Sequence, residues 1–149
     1  MAIERILLAI GPGDADRADA LAGAVADVAA PTGAEVVLLH VFTEEEYADV
    51  VSALDFGDVG TDEADDVARR RSIVRDIAGA LEERDVHVVV RGAVGPHGER
   101  IVDTAESVGA DMVYVGGRKR SPTGKAVFGS TAQEVLLGAP APVTFVRGE

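Results

Sequence analysis

Five short runs in this chain are apolar along their whole length instead of at every second residue. They are Arg5-Ile6-Leu7-Leu8-Ala9-Ile10, Glu35-Val36-Val37-Leu38-Leu39-His40-Val41-Phe42, Val86-His87-Val88-Val89-Val90-Arg91, Asp111-Met112-Val113-Tyr114-Val115 and Val143-Thr144-Phe145-Val146-Arg147. A strand with one wet face alternates apolar and polar residues, so an unbroken run calls for cover on both faces. Between the runs, apolar residues recur at helical spacing: Leu21, Val25 and Val28, then Val67, Ile73, Val74, Ile77 and Leu81, then Ile101, Val102 and Ala105. Strand alternating with helix, and strands buried on both sides, predict a doubly wound α/β domain over residues 1–149. Its sheet has five strands, mostly parallel, with helices on both faces.

The punctuation agrees with this layout. Gly11-Pro12-Gly13 closes the first strand in a turn, Asp14 is placed to cap a helix through Val28, and Pro31-Thr32-Gly33 stops it. The stretch from Thr43 to Asp62 is less regular, with Glu44-Glu45-Glu46 starting a short helix and Phe56-Gly57-Asp58-Val59-Gly60 reading as loop. One long helix is expected from Glu63 to Arg84, with Arg69-Arg70-Arg71 on its solvent face. Further helices are expected from Pro96 to Ser107, stopped by Gly109, and from Thr131 to Leu137.

At 149 residues with 47% hydrophobic content, the chain is long enough to bury a core as one domain. No run approaches the roughly 18 apolar residues of a membrane span. The start, Met1-Ala2-Ile3-Glu4-Arg5, goes straight into a strand without the features of a signal peptide, so a cytoplasmic location is expected. The absence of cysteine excludes disulfides and thiolate chemistry. A formal charge of −12 argues against a broad basic surface for nucleic acid. The same acidic excess fits adaptation to high intracellular salt, with an ordinary acidic protein as the alternative. At 1 M salt the screening length falls to about 3 Å, so a ligand there must be held by contact.

Positive charge is distributed in an unusual way. The two lysines, Lys119 and Lys125, share one loop, Gly117-Arg118-Lys119-Arg120-Ser121-Pro122-Thr123-Gly124-Lys125. A strand ending in Gly116-Gly117 leads in, and Phe128-Gly129-Ser130-Thr131 leads out into a helix. That order aims backbone N–H groups, hydroxyls and cations at one point, the chemistry of an anion site such as phosphate. The plain alternatives are a Ser or Thr helix cap at Gly129-Ser130-Thr131, worth about 1 kcal/mol, and a solvated basic turn. A Walker A loop is excluded, because Ala126 follows Lys125 and the first glycine position falls on Lys119. His40, inside an apolar strand, reads as a packed core residue. His87 reads as surface or edge, and His97 as a residue able to reach the mouth of a strand-end pocket. No histidine pair has metal spacing, and no nucleophile–base arrangement emerges, so no catalytic residue or metal site is named.

The order of elements resembles the universal stress protein family over essentially the whole chain. The nucleotide-binding signature of that family, G-x2-G-x9-G-[ST], is met here by Gly116, Gly129 and Ser130, with Lys119 at the second glycine position. Val37-Leu38-Leu39-His40-Val41 and Ala110-Asp111-Met112-Val113-Tyr114-Val115-Gly116 echo it as well. The resemblance implies a Rossmann-like sheet and an adenine nucleotide, ATP, with phosphates on Gly129, Ser130 and Thr131. Gly116 would let the chain pass under the phosphates, Lys119 would be a charge partner, Ile10, Gly11 and Val41 would line the nucleoside pocket, and Val115 is counted among the nucleotide-binding residues. A divalent ion such as Mg can bridge the phosphates, although no carboxylate ligand is singled out for it. Also implied are a stress-response regulator with at most slow ATP hydrolysis and a homodimer paired through its last strand; neither nucleic acid nor membrane is expected as a partner. The chain departs from the family at Gly11, where the nucleotide-binding relatives carry a strand-end aspartate, and at Lys119. Lysine there either blocks close approach to phosphate or replaces a backbone contact with an ammonium. The alternative function is a stress-protein-fold interaction module that binds no nucleotide. A nucleotide-using enzyme such as a ligase or a flavoprotein subunit is the third reading.

Overall fold

All five apolar runs form strands of one sheet. The computed structural model describes residues 2–54, 64–117 and 129–147. The strands are β1 (Arg5–Ile10), β2 (Glu35–Phe42), β3 (Val88–Val94), β4 (Met112–Gly117) and β5 (Val143–Arg147). They lie in the order β3-β2-β1-β4-β5, and every pairing is parallel.

The burial of alternate residues explains the unbroken apolar runs. Ile6, Leu8 and Ile10 pack on one side of the sheet with Val36 and Leu38, under α1 (Ala18–Thr32) and α4 (Ser72–Glu82). Leu7 and Ala9 pack on the other side with Val37, Leu39, Val41, Val113 and Val115, under α5 (His97–Val108) and α6 (Ser130–Gly138). A smaller cluster of Phe42, Tyr47, Ala64, Val67 and Ala68 lies beneath α2 (Glu44–Leu54) and α3 (Ala64–Arg69). Two facing layers of helix are what strands of this composition require.

Several boundaries differ from expectation for physical reasons. Asp14 does not cap a helix running forward. Residues Pro12–Arg17 form a 3-10 turn, and α1 begins only at Ala18. Nor does Pro31 stop α1, which continues to Thr32. Gly33 ends it in a left-handed conformation (φ 72°), its N–H donating to the Ala29 carbonyl at 3.0 Å. Val86 closes the turn after α4 through a bond to the Leu81 carbonyl (3.1 Å), so β3 starts at Val88 and gains Gly92, Ala93 and Val94.

The expected long helix is broken at Arg70 and Arg71, whose N–H groups bond three residues back, to Val67 and Ala68. Its two halves serve different surfaces. The Asp65 carboxylate in α3 accepts from the Gly92 N–H of β3 at 2.7 Å, whereas α4 packs on α1 with Arg84 bonded to Asp27 at 3.1 Å. A straight helix does not reach both. Arg69 and Arg70 are exposed as expected, but Arg71 is half-buried at the break. The loop expected at Phe56–Gly60 lies outside the described residues.

Candidate functional site

The site follows from where two strands part company. β1 pairs with β4 only from Ile6–Met112 to Leu8–Tyr114. Beyond that, β1 stays with β2 as far as Ile10–His40, while β4 stays with β5 as far as Gly117–Arg147. At the opposite end the same two strands are clamped. The Asp111 carboxylate accepts from the Glu4 and Arg5 N–H groups at 2.9 and 3.0 Å, and these bonds hold its carboxyl below the usual range. β1 and β4 therefore open towards their carboxyl ends. In a doubly wound sheet that is the switch point where ligands bind.

Three described segments border the opening. Gly11 has extended backbone, and a β-carbon added there would meet nothing within 4 Å, so neither strain nor crowding requires glycine. Gly116 is different. A β-carbon there would come within 2.8 Å of Arg17 Cδ, 3.0 Å of Asp14 Oδ1 and 3.4 Å of Leu21 Cδ1. Gly117 makes room for a neighbour too, since its β-carbon would sit 2.6 Å from the Phe145 ring of β5. The Gly116-Gly117 pair thus has a packing role alongside any ligand role.

The third segment is the start of α6. Gly129 is its cap residue and supplies no side-chain bond; Ser130 is the first helical residue, not the cap. The first bond within the helix runs from the Gln133 N–H to the Gly129 carbonyl at 3.0 Å. The N–H groups of Ser130, Thr131 and Ala132 precede it and have no partner within the helix. Ser130 is exposed and Thr131 half-buried. The cap position thus falls on Gly129, one residue before Ser130, and a side-chain Ser or Thr cap is not formed there.

The remaining expected residues divide by sheet face. Ile10 is buried on the α1 side, and Val41 and Val115 are buried on the α5 side. Their side chains belong to two different core layers, and at the strand ends they offer backbone. Lys119, with the rest of the cationic loop, lies outside the described residues.

A pair that sequence reasoning missed occupies the crevice. Asp14 Oδ2 accepts from the Gly11 N–H at 2.8 Å, and its Oδ1 is ion-paired with Arg17. Arg17 Nη1 also donates to the Gly13 carbonyl at 2.9 Å. Both side chains are largely buried, at 12% and 13% exposure. The 3-10 turn turns Asp14 back over the strand end, so a carboxylate stands at the switch point although position 11 is glycine. The only sequence signal was the Asp-x-x-Arg spacing, which resembles any exposed helical ion pair.

His40 is buried, as expected, with its ring 4.3 Å from that of Phe42 and its Nδ1 without a partner. Burial, reinforced by the Arg71 charge, lowers its pKa to about 4. His97 is tied to α2 by a 2.9 Å bond to Glu46, whose carboxylate also accepts from the Thr43 N–H at 2.7 Å. Burial pushes the Glu46 carboxyl up, but the Thr43 and His97 bonds outweigh it and leave it below its ordinary value. His87 is exposed. Among the described residues no cluster of three or more His, Cys, Asp or Glu is placed to hold a metal ion, and no helix is long and apolar enough to cross a membrane.

An all-parallel α/β sheet, covered by helices on both faces and parting between β1 and β4 at its carboxyl end, defines a doubly wound domain with a switch point. The chain belongs to the universal stress protein family, whose model matches residues 2–147. It is similar to a universal stress protein of Mycolicibacterium smegmatis (strain ATCC 700084 / mc(2)155), with 34% identity over 79 residues. That match spans 52% of this chain and 61% of the relative, so it covers well under the whole of either. Among solved structures, a universal stress protein from Archaeoglobus fulgidus in complex with dAMP superposes with a TM-score of 0.69 at 20% identity, covering 99% of this chain and 100% of the other. A universal stress protein in complex with cAMP superposes with a TM-score of 0.68 at 18% identity, covering 100% of both chains.

Proposed function

We propose that this protein binds an adenine nucleotide where β1 and β4 part, with its phosphates on the N–H groups of Ser130, Thr131 and Ala132. The observation that carries this reading is a helix start whose first N–H groups have no partner within the helix, following the strand that parts from β1 at Gly116-Gly117, which is anion-binding geometry. The dAMP and cAMP complexes of the two structural relatives support the ligand class. ATP, with Mg bridging its phosphates, is the nucleotide we propose, and Lys119 is its charge partner. The protein then acts as a regulator that changes state with occupancy. We propose no enzymatic role beyond slow hydrolysis, since no water-activating base stands out among the described residues.

The assembly we propose is a homodimer joined along β5, the edge strand next to β4. Among the described residues no further strand of the sheet lies beyond β5, and a sheet edge is where a second copy can add. Sedimentation equilibrium checks this, and a monomer across the accessible concentrations rules it out. An acidic surface suited to high intracellular salt belongs to the same proposal, as do a cytoplasmic setting and the lack of nucleic-acid or membrane partners.

Calorimetric titration with ATP and Mg tests the main reading on wild type, Ser130→Ala and Lys119→Gly. Binding weakened by Ser130→Ala is the expected result, and the lysine variant reports whether that side chain helps or obstructs. No binding in any variant sinks the nucleotide reading. A second reading, an interaction module without nucleotide, is favoured by the Asp14–Arg17 pair lying across Gly116. Purified protein free of nucleotide absorbance, together with a silent titration, is its signature.

A further inference from the structure

The Asp14–Arg17 pair is an odd thing to bury at the mouth of a ligand crevice. Arg17 crosses Gly116 closely, with Cδ 2.8 Å from where a β-carbon would stand, so a larger residue there would push the arginine aside. Its Nη1 is taken by Asp14 Oδ1 and the Gly13 carbonyl. Its Nε is buried and has no acceptor. Buried N–H donors in native proteins are nearly always paired; Arg71 and Arg100 share an unpartnered Nε, but Arg17 is the one of the three that lies against the strand ends at the switch point. Nε and Nη2 together form the guanidinium edge that grips a carboxylate or phosphate with two parallel bonds.

Asp14 is anchored independently of Arg17. Its second oxygen accepts from the Gly11 N–H at 2.8 Å, and its own N–H donates to the Gly11 carbonyl at 3.1 Å. Arg17 can therefore turn to another anion without unseating Asp14. In a chain of net charge −12, an anionic ligand also needs a local cation to enter.

We infer that Arg17 is the phosphate-reading residue of the crevice, and that Asp14 is the counter-ion it leaves, wholly or in part, when a phosphate arrives. The inference rests on the crevice being the ligand site, and it adds a recognition residue from the turn after β1, packed against Gly116. It also assigns the buried pair a purpose: Asp14 neutralises the guanidinium while the site is empty and competes with the incoming anion.

The test is calorimetric titration of wild type, Arg17→Gln, Arg17→Lys and Asp14→Asn with adenosine, AMP and inorganic pyrophosphate, with thermal unfolding as the check on folding. In Arg17→Gln, affinity for AMP and pyrophosphate is expected to fall about tenfold or more, with adenosine unchanged. Asp14→Asn keeps an oxygen for the Gly11 N–H but removes the competing charge, so it should tighten AMP several-fold. Opposite signs in the two variants are what a merely structural ion pair does not produce. If Arg17→Gln fails to fold, Arg17→Lys decides: it retains the charge without the fork and should still weaken AMP relative to adenosine. Wild type that takes up pyrophosphate through Arg17 but neither adenosine nor AMP upholds the inference and removes the adenine reading. AMP binding that ignores Arg17, or equal losses of adenosine and AMP with Asp14→Asn also weakened, overturns the inference and leaves the nucleotide reading standing. Wild type that binds none of the three overturns both.

Discussion

At the scale of single residues, His40 and Gly11 carry the clearest consequences. His40 is neutral in the folded protein because burial and Arg71 lower its pKa to about 4, against an ordinary 6.5. The unfolded chain therefore binds more protons between those values, and stability must fall as pH drops from 6.5 towards 4. The full difference is about 3 kcal/mol. Urea denaturation of wild type and His40→Gln across that range should show a steep loss in the first and a shallower one in the second. Parallel curves would mean that His40 does not carry the effect. Glu46 and His97 also face this region, and the lowered Glu46 carboxyl adds its own loss only below its ordinary value. At Gly11 the open surroundings and extended backbone admit any side chain. Gly11→Asp should fold with wild-type stability, within about 0.5 kcal/mol by thermal unfolding.

At the scale of elements, the split between α3 and α4 is the feature that packing imposed on the sequence pattern. Val67 and Val74 share a helical phase, and nothing between Glu63 and Arg84 is a proline or an early glycine that would stop a helix. The break comes from α3 sitting down on β3. A β-carbon at Gly92 would lie 2.1 Å from the Ala64 carbonyl oxygen, so backbone meets backbone there. Gly92→Ala should lift α3 from the sheet and cost about 1–3 kcal/mol or more, read by chemical denaturation. Unchanged stability would show that α3 does not depend on that close approach. Because Gly92 lies in β3, away from the β1–β4 crevice, the same variant should leave nucleotide affinity nearly unchanged once folded.

At the scale of the whole molecule, charge dominates. A net charge of −12 on 149 residues repels itself, and added salt screens that repulsion. The screening length shortens from about 10 Å at 0.1 M to about 3 Å at 1 M, so the unfolding temperature should rise across that interval. A fall in unfolding temperature would mean that attractive surface pairs such as Arg5–Glu35 and Arg100–Asp103 outweigh the net repulsion. Ligand binding by contact in a buried crevice should survive the same salt better than a long-range attraction would.

The architecture was legible because it depends on local composition. Unbroken apolar strands alternating with amphipathic helices admit few arrangements, and the parallel sheet with two covered faces follows from burial alone. The switch point was legible for the same reason, since Gly11 and Gly116 end strands that a doubly wound order brings together. Tertiary structure decided what lies between them. Asp14 and Arg17 sit three residues apart in a stretch that reads as the start of a helix, and only the 3-10 turn folds them over Gly116. Ile10 and Val41 end neighbouring strands, yet the pleat sends their side chains into opposite core layers. Spacing along a chain reports which face of its own element a residue shares. Which residues face each other across a gap depends on how separate elements pack, and that is where the crevice acquired its buried ion pair.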